Sequence, residues 1–211
     1  MNPISRWKFL PTTLCVLSLM ILTSSAGALM NEIDLGGDID LSDESGVYVT
    51  VMSRYFRMDS QQVKLWYESC LESDDLAVTL FLSQNTGKSP AYVIALRNQG
   101  LGWWDISEGM GVNPNDWFLP AEFTLRPPYS APYWKWSSAG ESGSRFELSD
   151  ADCRNLIGAR FLHQYFEVTL GRAMEMRANG ANLERLSTEE FLRKQKNTKS
   201  TRKEVASGST S

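Results

Sequence analysis

Histidine is all but missing from this chain of 211 residues: His163 is the only one, beside three cysteines. That scarcity works against a histidine-rich zinc centre, and it confines any Ser–His or Cys–His dyad to one position. His163 lies in "ARFLHQYFE", an apolar helical pattern where packing is the expected role rather than proton transfer. Also lacking are a Gly-rich phosphate loop after a strand and a serine in a nucleophile elbow. Nor is there a run of about 20 apolar residues, the length that crosses a bilayer. The longest such run, "LCVLSLMIL" (14–22), is too short, so no transmembrane span is expected in the mature chain. No metal and no cofactor is expected either.

What the N-terminus does have is a three-part pattern. "MNPISRWKFLPTT" carries Arg6 and Lys8 and no acid, the apolar run follows, and Ala26 and Ala28 stand in an A-x-A arrangement. This predicts a signal peptide over 1–28, cleavage before Leu29 and an extracytoplasmic location. An uncleaved segment tethering the protein to a membrane is the alternative. With Cys15 removed, Cys70 and Cys153 remain. An even pair in an exported chain favours a disulfide, which the loop-entropy picture values at about 4 kcal/mol. Two buried free thiols are the other reading.

Cations are scarce in the body and concentrated at the end. Residues 29–192 hold 13 Lys/Arg against 24 Asp/Glu, whereas 193–211 hold six Lys/Arg and one acid. The tail, rich in Ser, Thr and Lys, reads as disordered. An anionic envelope polymer or membrane is a conceivable contact for it.

Between these ends the pattern is helical. Residues 29–46 form an acidic linker whose "DIDLSDESG" lacks the Gly and Glu that an EF-hand loop requires. From 47 to 118 apolar residues recur at helical spacing, with Asp59 or Ser60, Ser73, Ser89–Pro90 and Asn113–Pro114 as helix starts and Gly87, Gly100 and Gly111 as stops. A shift of 30 residues pairs Ser53 with Ser83, Val63 with Val93, Leu71 with Leu101 and Asp75 with Asp105, which predicts a duplicated helical hairpin. Residues 119–148, with Pro120, Pro127, Pro128 and Pro132, read as a long irregular loop. Residues 149–192 read as C-terminal helices capped by Ser149, with Gly158 and Gly171 as points of bending. The fold class is therefore all-α: duplicated helix-turn-helix-like hairpins plus a long C-terminal helix.

The stretch "RNQGLGWWDISEGMGV" (97–112) has the spacing of a DNA-reading corner. Its chemistry is wrong for one. Residues 47–119 hold five Lys/Arg against eight acids, and the would-be recognition helix opens "NPNDWF", with no cation to meet phosphates. Nucleic acid is accordingly not the expected partner; a helix-turn-helix DNA binder stays open only for a chain that is not exported. The segment resembles a family of uncharacterised bacterial secreted proteins whose recurring element is "V-x-x-L-R-x-x-G" followed by "L-G-[WY]-G-[DE]-I-x-x-x-L-G-V". Val93, Leu96, Arg97, Gly100, Leu101, Gly102, Trp103, Asp105, Ile106, Gly111 and Val112 fall on that pattern, while Trp104 and Met110 depart from it. The resemblance implies export and an all-α hairpin repeat over 47–118, and no catalytic activity.

For chemistry, the acid pairs Asp74/Asp75 and Glu189/Glu190 fall in first turns of helices, where they stabilise the dipole. The most suggestive surface is "RPPYSAPYWKWSS", in which Tyr129, Tyr133, Trp134, Lys135 and Trp136 are suited to stacking on a sugar ring or gripping a protein. The competing reading is that these rings plug the open end of the helical domain. The expected role is a non-catalytic extracytoplasmic scaffold or binding module, with a cell-envelope glycan or protein as partner. A cell-envelope hydrolase using carboxylates near the aromatic loop is the alternative. The scaffold reading predicts that removing 193–211 leaves the fold intact, and a collapse of the thermal unfolding midpoint on truncation would contradict it.

Overall fold

A computed structural model of the chain describes residues 43–70, 72–142 and 145–208. Among them every regular element is helical: α1 (Glu44–Phe56), α2 (Ser60–Ser69), α3 (Ser73–Thr86), α4 (Pro90–Asn98), α5 (Trp103–Gly109), α6 (Ser130–Ser142), α7 (Asp150–Phe166), α8 (Leu170–Ala178) and α9 (Leu183–Gly208), with a single 3-10 turn at Pro114–Trp117. The all-α expectation holds. The expected signal peptide lies outside the described residues.

The boundaries follow from local chemistry. Asp43 caps α1 by accepting from Gly46 N at 2.6 Å, so helix begins inside the stretch read as a linker. α1 ends where Arg57 takes a left-handed conformation (φ 55°), and Asp59 then caps α2 through Gln62 N. Thirty residues on, Gly87 turns left-handed (φ 68°), Ser89 caps α4 through Tyr92 N, and Pro90 fills the first helical position, where it forfeits no bond. The same shift carries α1 onto α3 and α2 onto α4 to within a residue or two. Side chains match in part. Ser53 and Ser83 are both buried, as are Val63 and Val93, but Asp75 is buried where Asp105 is exposed. Leu71 is outside the described residues.

α3 is the centre of the molecule. Residues Asp75 to Ser83 are buried without interruption, as in a helix surrounded on all sides. It packs against α1, α4, α7 and α9. α1 lies along α9, and α7 along α8.

Three expectations are corrected. Residues 119–148 are not wholly irregular, because α6 occupies Ser130–Ser142. Pro132 stands in its first turn, where a missing N–H breaks nothing, and Tyr129, Tyr133 and Trp136 recur at helical spacing. The C-terminal helix does break, but at neither glycine: Glu167 turns left-handed (φ 59°) and Thr169 caps α8 through Arg172 N. α7 runs straight through Gly158, where the guanidinium of Arg177 packs so closely that a Cβ would meet its Nε at 2.9 Å. The basic tail, finally, continues as helix in α9 to Gly208, since it holds no proline and its only glycine is at the helix's last residue. Lys194 there donates to the Tyr165 carbonyl and pairs with Glu167 at 3.3 Å, so cutting at 193 forfeits surface contacts worth about 0–1 kcal/mol.

Gly158→Ala is expected to destabilise the protein by about 1–3 kcal/mol through displacement of Arg177. Gly140→Ala, with nothing within 4 Å of its Cβ, should leave the unfolding midpoint unchanged or slightly raised. Thermal melts of the two variants check this, and equal effects would contradict the packing role of Gly158.

Candidate functional site

The residues that sequence reasoning singled out are mostly committed to structure. Tyr129 and Tyr133 are buried, and their hydroxyls donate to the carbonyls of Asn155 (3.2 Å) and Leu119 (2.7 Å). Burial pushes both phenols above their ordinary range. Trp136 stacks on Phe118, with centroids 4.6 Å apart and planes 4° from parallel, and its Nε1 donates to Asn115 Oδ1. Lys135 donates to the Glu147 carbonyl at 3.0 Å. Trp134, 69% exposed, and Lys135 face outward. Tyr129, Tyr133 and Trp136 pack into the helical domain while Trp134 and Lys135 are exposed, so the five do not converge on one binding face. His163 is half-buried, with Nδ1 2.7 Å from the Val168 carbonyl at the α7–α8 corner.

Cys70 and Cys153 do not form the expected disulfide; both are free thiols. The link from the α2–α3 corner to α7 is made by charge instead: Arg154 of α7 pairs with Asp75 (2.6 Å) and Glu72 (3.1 Å). Cys70 sits against Asp75 and Thr79, and burial first, then the neighbouring Asp75 charge, pushes its thiol up to about 12. Cys153 is fully enclosed, and burial next to Asp150 and Asp152 raises it further.

The acid pair Asp74/Asp75 does open a helix, as read, but its larger role is long-range. Asp75, 1% exposed, accepts from Trp103 Nε1 at 3.0 Å and from Arg154 Nε on the same oxygen. Asp74 pairs with Arg177 of α8 and accepts from Leu183 N at 2.7 Å, the start of α9. Arg177 in turn donates to the Ala181 carbonyl. A third pair joins Arg97 to Asp150, which also accepts from Trp103 N, while the Arg97 guanidinium lies 4.7 Å over the Trp103 ring. A cavity of about 10 Å³ beside Asp75, Cys70 and Trp103 is the size of one water.

A different place offers open space. Between α1, α3 and α7 lies a recess of about 180 Å³. Phe56, Phe81 and Ile157 give it an apolar floor, Gln84, Asn85 and Gln164 an amide rim, and Tyr55 a wall. Tyr55 donates to Gln164 Oε1, which fixes that amide. The charge in the recess is Arg160. Its Nη2 donates to the carbonyls of Asp116 and Phe118, its guanidinium lies 5.6 Å from the Phe81 ring, and its Nε is buried without a partner. No carboxylate pairs with it among the described residues. Desolvation lowers its pKa from the ordinary guanidinium value, yet an arginine so shifted is still a cation.

Sequence reasoning named Arg97 only as part of a recurring pattern and passed over Arg154, Arg160 and Arg177. A signal was present. Arg160 stands three and four residues after Ile157 and Leu156, and Arg177 three and four after Met174 and Ala173, so each cation falls on an apolar helical stripe. A cation there needs a partner or a ligand.

Among the described residues no cluster of His, Cys, Asp or Glu could hold a metal, and no helix is long and apolar enough to cross a membrane. The segment a DNA-reading corner would use as its second helix is the one 3-10 turn, with Trp117 buried. Compared with family models, curated proteins and solved structures, the chain matches none.

Both thiols should react with an aromatic disulfide reagent at pH 8 at least about a hundredfold slower in the native protein than in urea, because the thiolate is scarce at both and Cys153 is also enclosed. Release of two equivalents at the unfolded rate without denaturant would contradict the burial, and a mass two hydrogens light would restore the disulfide.

Proposed function

We propose that this protein is an exported, non-catalytic binding module, with the Arg160 recess as its ligand site. The observation that carries the reading is the make-up of that recess. It presents a fixed cation, an apolar floor and amide hydrogen-bonding groups, and its lining holds no carboxylate, imidazole, thiol or serine to act as acid, base or nucleophile. The acid pair Asp74/Asp75 is held in ion pairs, and His163 sits on a backbone carbonyl. With Tyr129, Tyr133 and Trp136 packed inward, the binding function is assigned to the α1–α3–α7 face rather than to α6.

Export rests on the N-terminal pattern and on the resemblance of Val93–Val112 to secreted proteins. The matching spans of α1–α2 and α3–α4, with the same left-handed turn and N-cap between the helices of each pair, support descent from one duplicated hairpin.

The test is fractionation of the native host, followed by the intact mass of the non-reduced protein. A chain beginning at Leu29 in the extracytoplasmic fraction, with mass unchanged on reduction, is the expected result. A chain beginning at Met1 in the cytosol would overturn export, and turnover of any cell-envelope polymer by the purified protein would overturn the non-catalytic role.

A further inference from the structure

We infer that the recess between α1, α3 and α7 receives the carboxylate of a small ligand on Arg160, with the ligand's ring or branched apolar body lying on Phe56, Phe81 and Ile157. This rests on the binding-module reading and names the ligand class for it.

The charge comes first. The other well-buried arginines each meet an acid: Arg97 meets Asp150, Arg154 meets Asp75 and Arg177 meets Asp74. Arg160 alone of this group meets only the carbonyls of Asp116 and Phe118 and the face of Phe81. A cation withdrawn from water costs free energy until an anion or hydrogen-bond acceptors restore what was lost. Two carbonyls on Nη2 restore part of it; the enclosed Nε lacks a partner, as do those of Arg97 and Arg177. What Arg160 lacks and those two have is a counter-charge, which an anion in the recess would supply. The same two carbonyls and the Phe81 ring hold the guanidinium plane in place before any ligand arrives, so little side-chain entropy is lost on binding.

The kind of anion follows from the surroundings. With both Nη2 hydrogens on carbonyls, Nη1 is the donor left for a carboxylate oxygen, through a single charge-assisted hydrogen bond. A phosphate or polyanion would want several cations or a row of backbone N–H groups. The recess has one cation, in a body whose residues 29–192 carry 24 acids against 13 Lys/Arg, and that field repels multiply charged ligands most. A monoanion suffers least.

Size sets the upper limit. A recess of about 180 Å³ is a little larger than the roughly 150 Å³ cavity that accommodates benzene, and smaller than the roughly 300 Å³ at which drug-sized sites begin. One ring or one amino-acid-sized body fits. At the rim, Gln84 and Asn85 are exposed and Gln164 is oriented by Tyr55, so a polar substituent on the ligand finds amide partners at the mouth.

Benzoate and benzamide separate the charge from the shape, and inorganic phosphate separates carboxylate from anion in general. Calorimetric titration of the full chain with each probe, at low ionic strength, is the experiment. Benzoate should bind saturably, benzamide at least about tenfold more weakly, and phosphate more weakly than benzoate. Arg160→Gln should abolish the preference for benzoate over benzamide. Gln84→Trp, placed on the exposed rim where it cannot disturb the core, should obstruct both ligands while leaving the thermal midpoint in place; it keeps the test decisive if Arg160→Gln does not fold. Equal affinity for benzoate and benzamide, tighter binding of phosphate, benzoate binding untouched by Gln84→Trp, or no saturable benzoate binding would each overturn the carboxylate assignment. None of these outcomes touches export or the lack of turnover, so the two readings fail separately.

Discussion

The first turn of α3 is the point on which the molecule depends. Asp74 and Asp75, consecutive residues, reach in two directions: one to Arg177 and the α9 start, the other to Trp103 and Arg154. Two neighbouring carboxylates therefore fix α5, α7, α8 and α9 around a helix that is itself buried on every side. The hydrophobic effect holds these helices together but is non-directional. The ion pairs decide which helix lies where. They are costly to break singly, about 3–5 kcal/mol, because the abandoned charge stays buried. They are also what requires Gly158, since Arg177 reaches Asp74 by passing where a side chain on α7 would stand.

How much of this was legible in the sequence depends on whether the causes were local. Helix ends were: Asp59, Ser89–Pro90, Ser149 with Asp152, and Gly87 act through backbone groups three or four residues away, and each does what its residue type implies. The α6 helix was hidden by its prolines, although Tyr129, Tyr133 and Trp136 already had helical spacing. The break after Phe166 was hidden because Glu167 takes a left-handed conformation with no glycine to announce it. The ion pairs link residues 53 to 103 positions apart, and nothing in either partner's neighbourhood names the other. Cysteine pairing was inferred from compartment and parity alone, and that inference carries no information about whether two thiols face each other.

The recess follows the same logic. Arg154, Arg160 and Arg177 are all cations on apolar helical faces, and the structure divides them by what they meet. Arg154 and Arg177 meet carboxylates and become part of the scaffold. Arg160 meets carbonyls and a ring, and it alone opens onto space. Sequence shows that such a residue has a role; only the packing shows whether the role is spent inside the fold.

The wiring of α3 also bears on the order in which the protein can assemble. Its covering partners α7 and α9, and the arginines that anchor its first turn, all come from residues 150 and beyond. While a chain emerges from its N-terminus, α3 has α1, α2 and α4 beside it but nothing to close its remaining sides. An early folded state is thereby denied to the first two-thirds of the chain, because the burial that would stabilise it has not yet been synthesised. The fold can close only when the last third of the chain is available, and that delay is built into the topology.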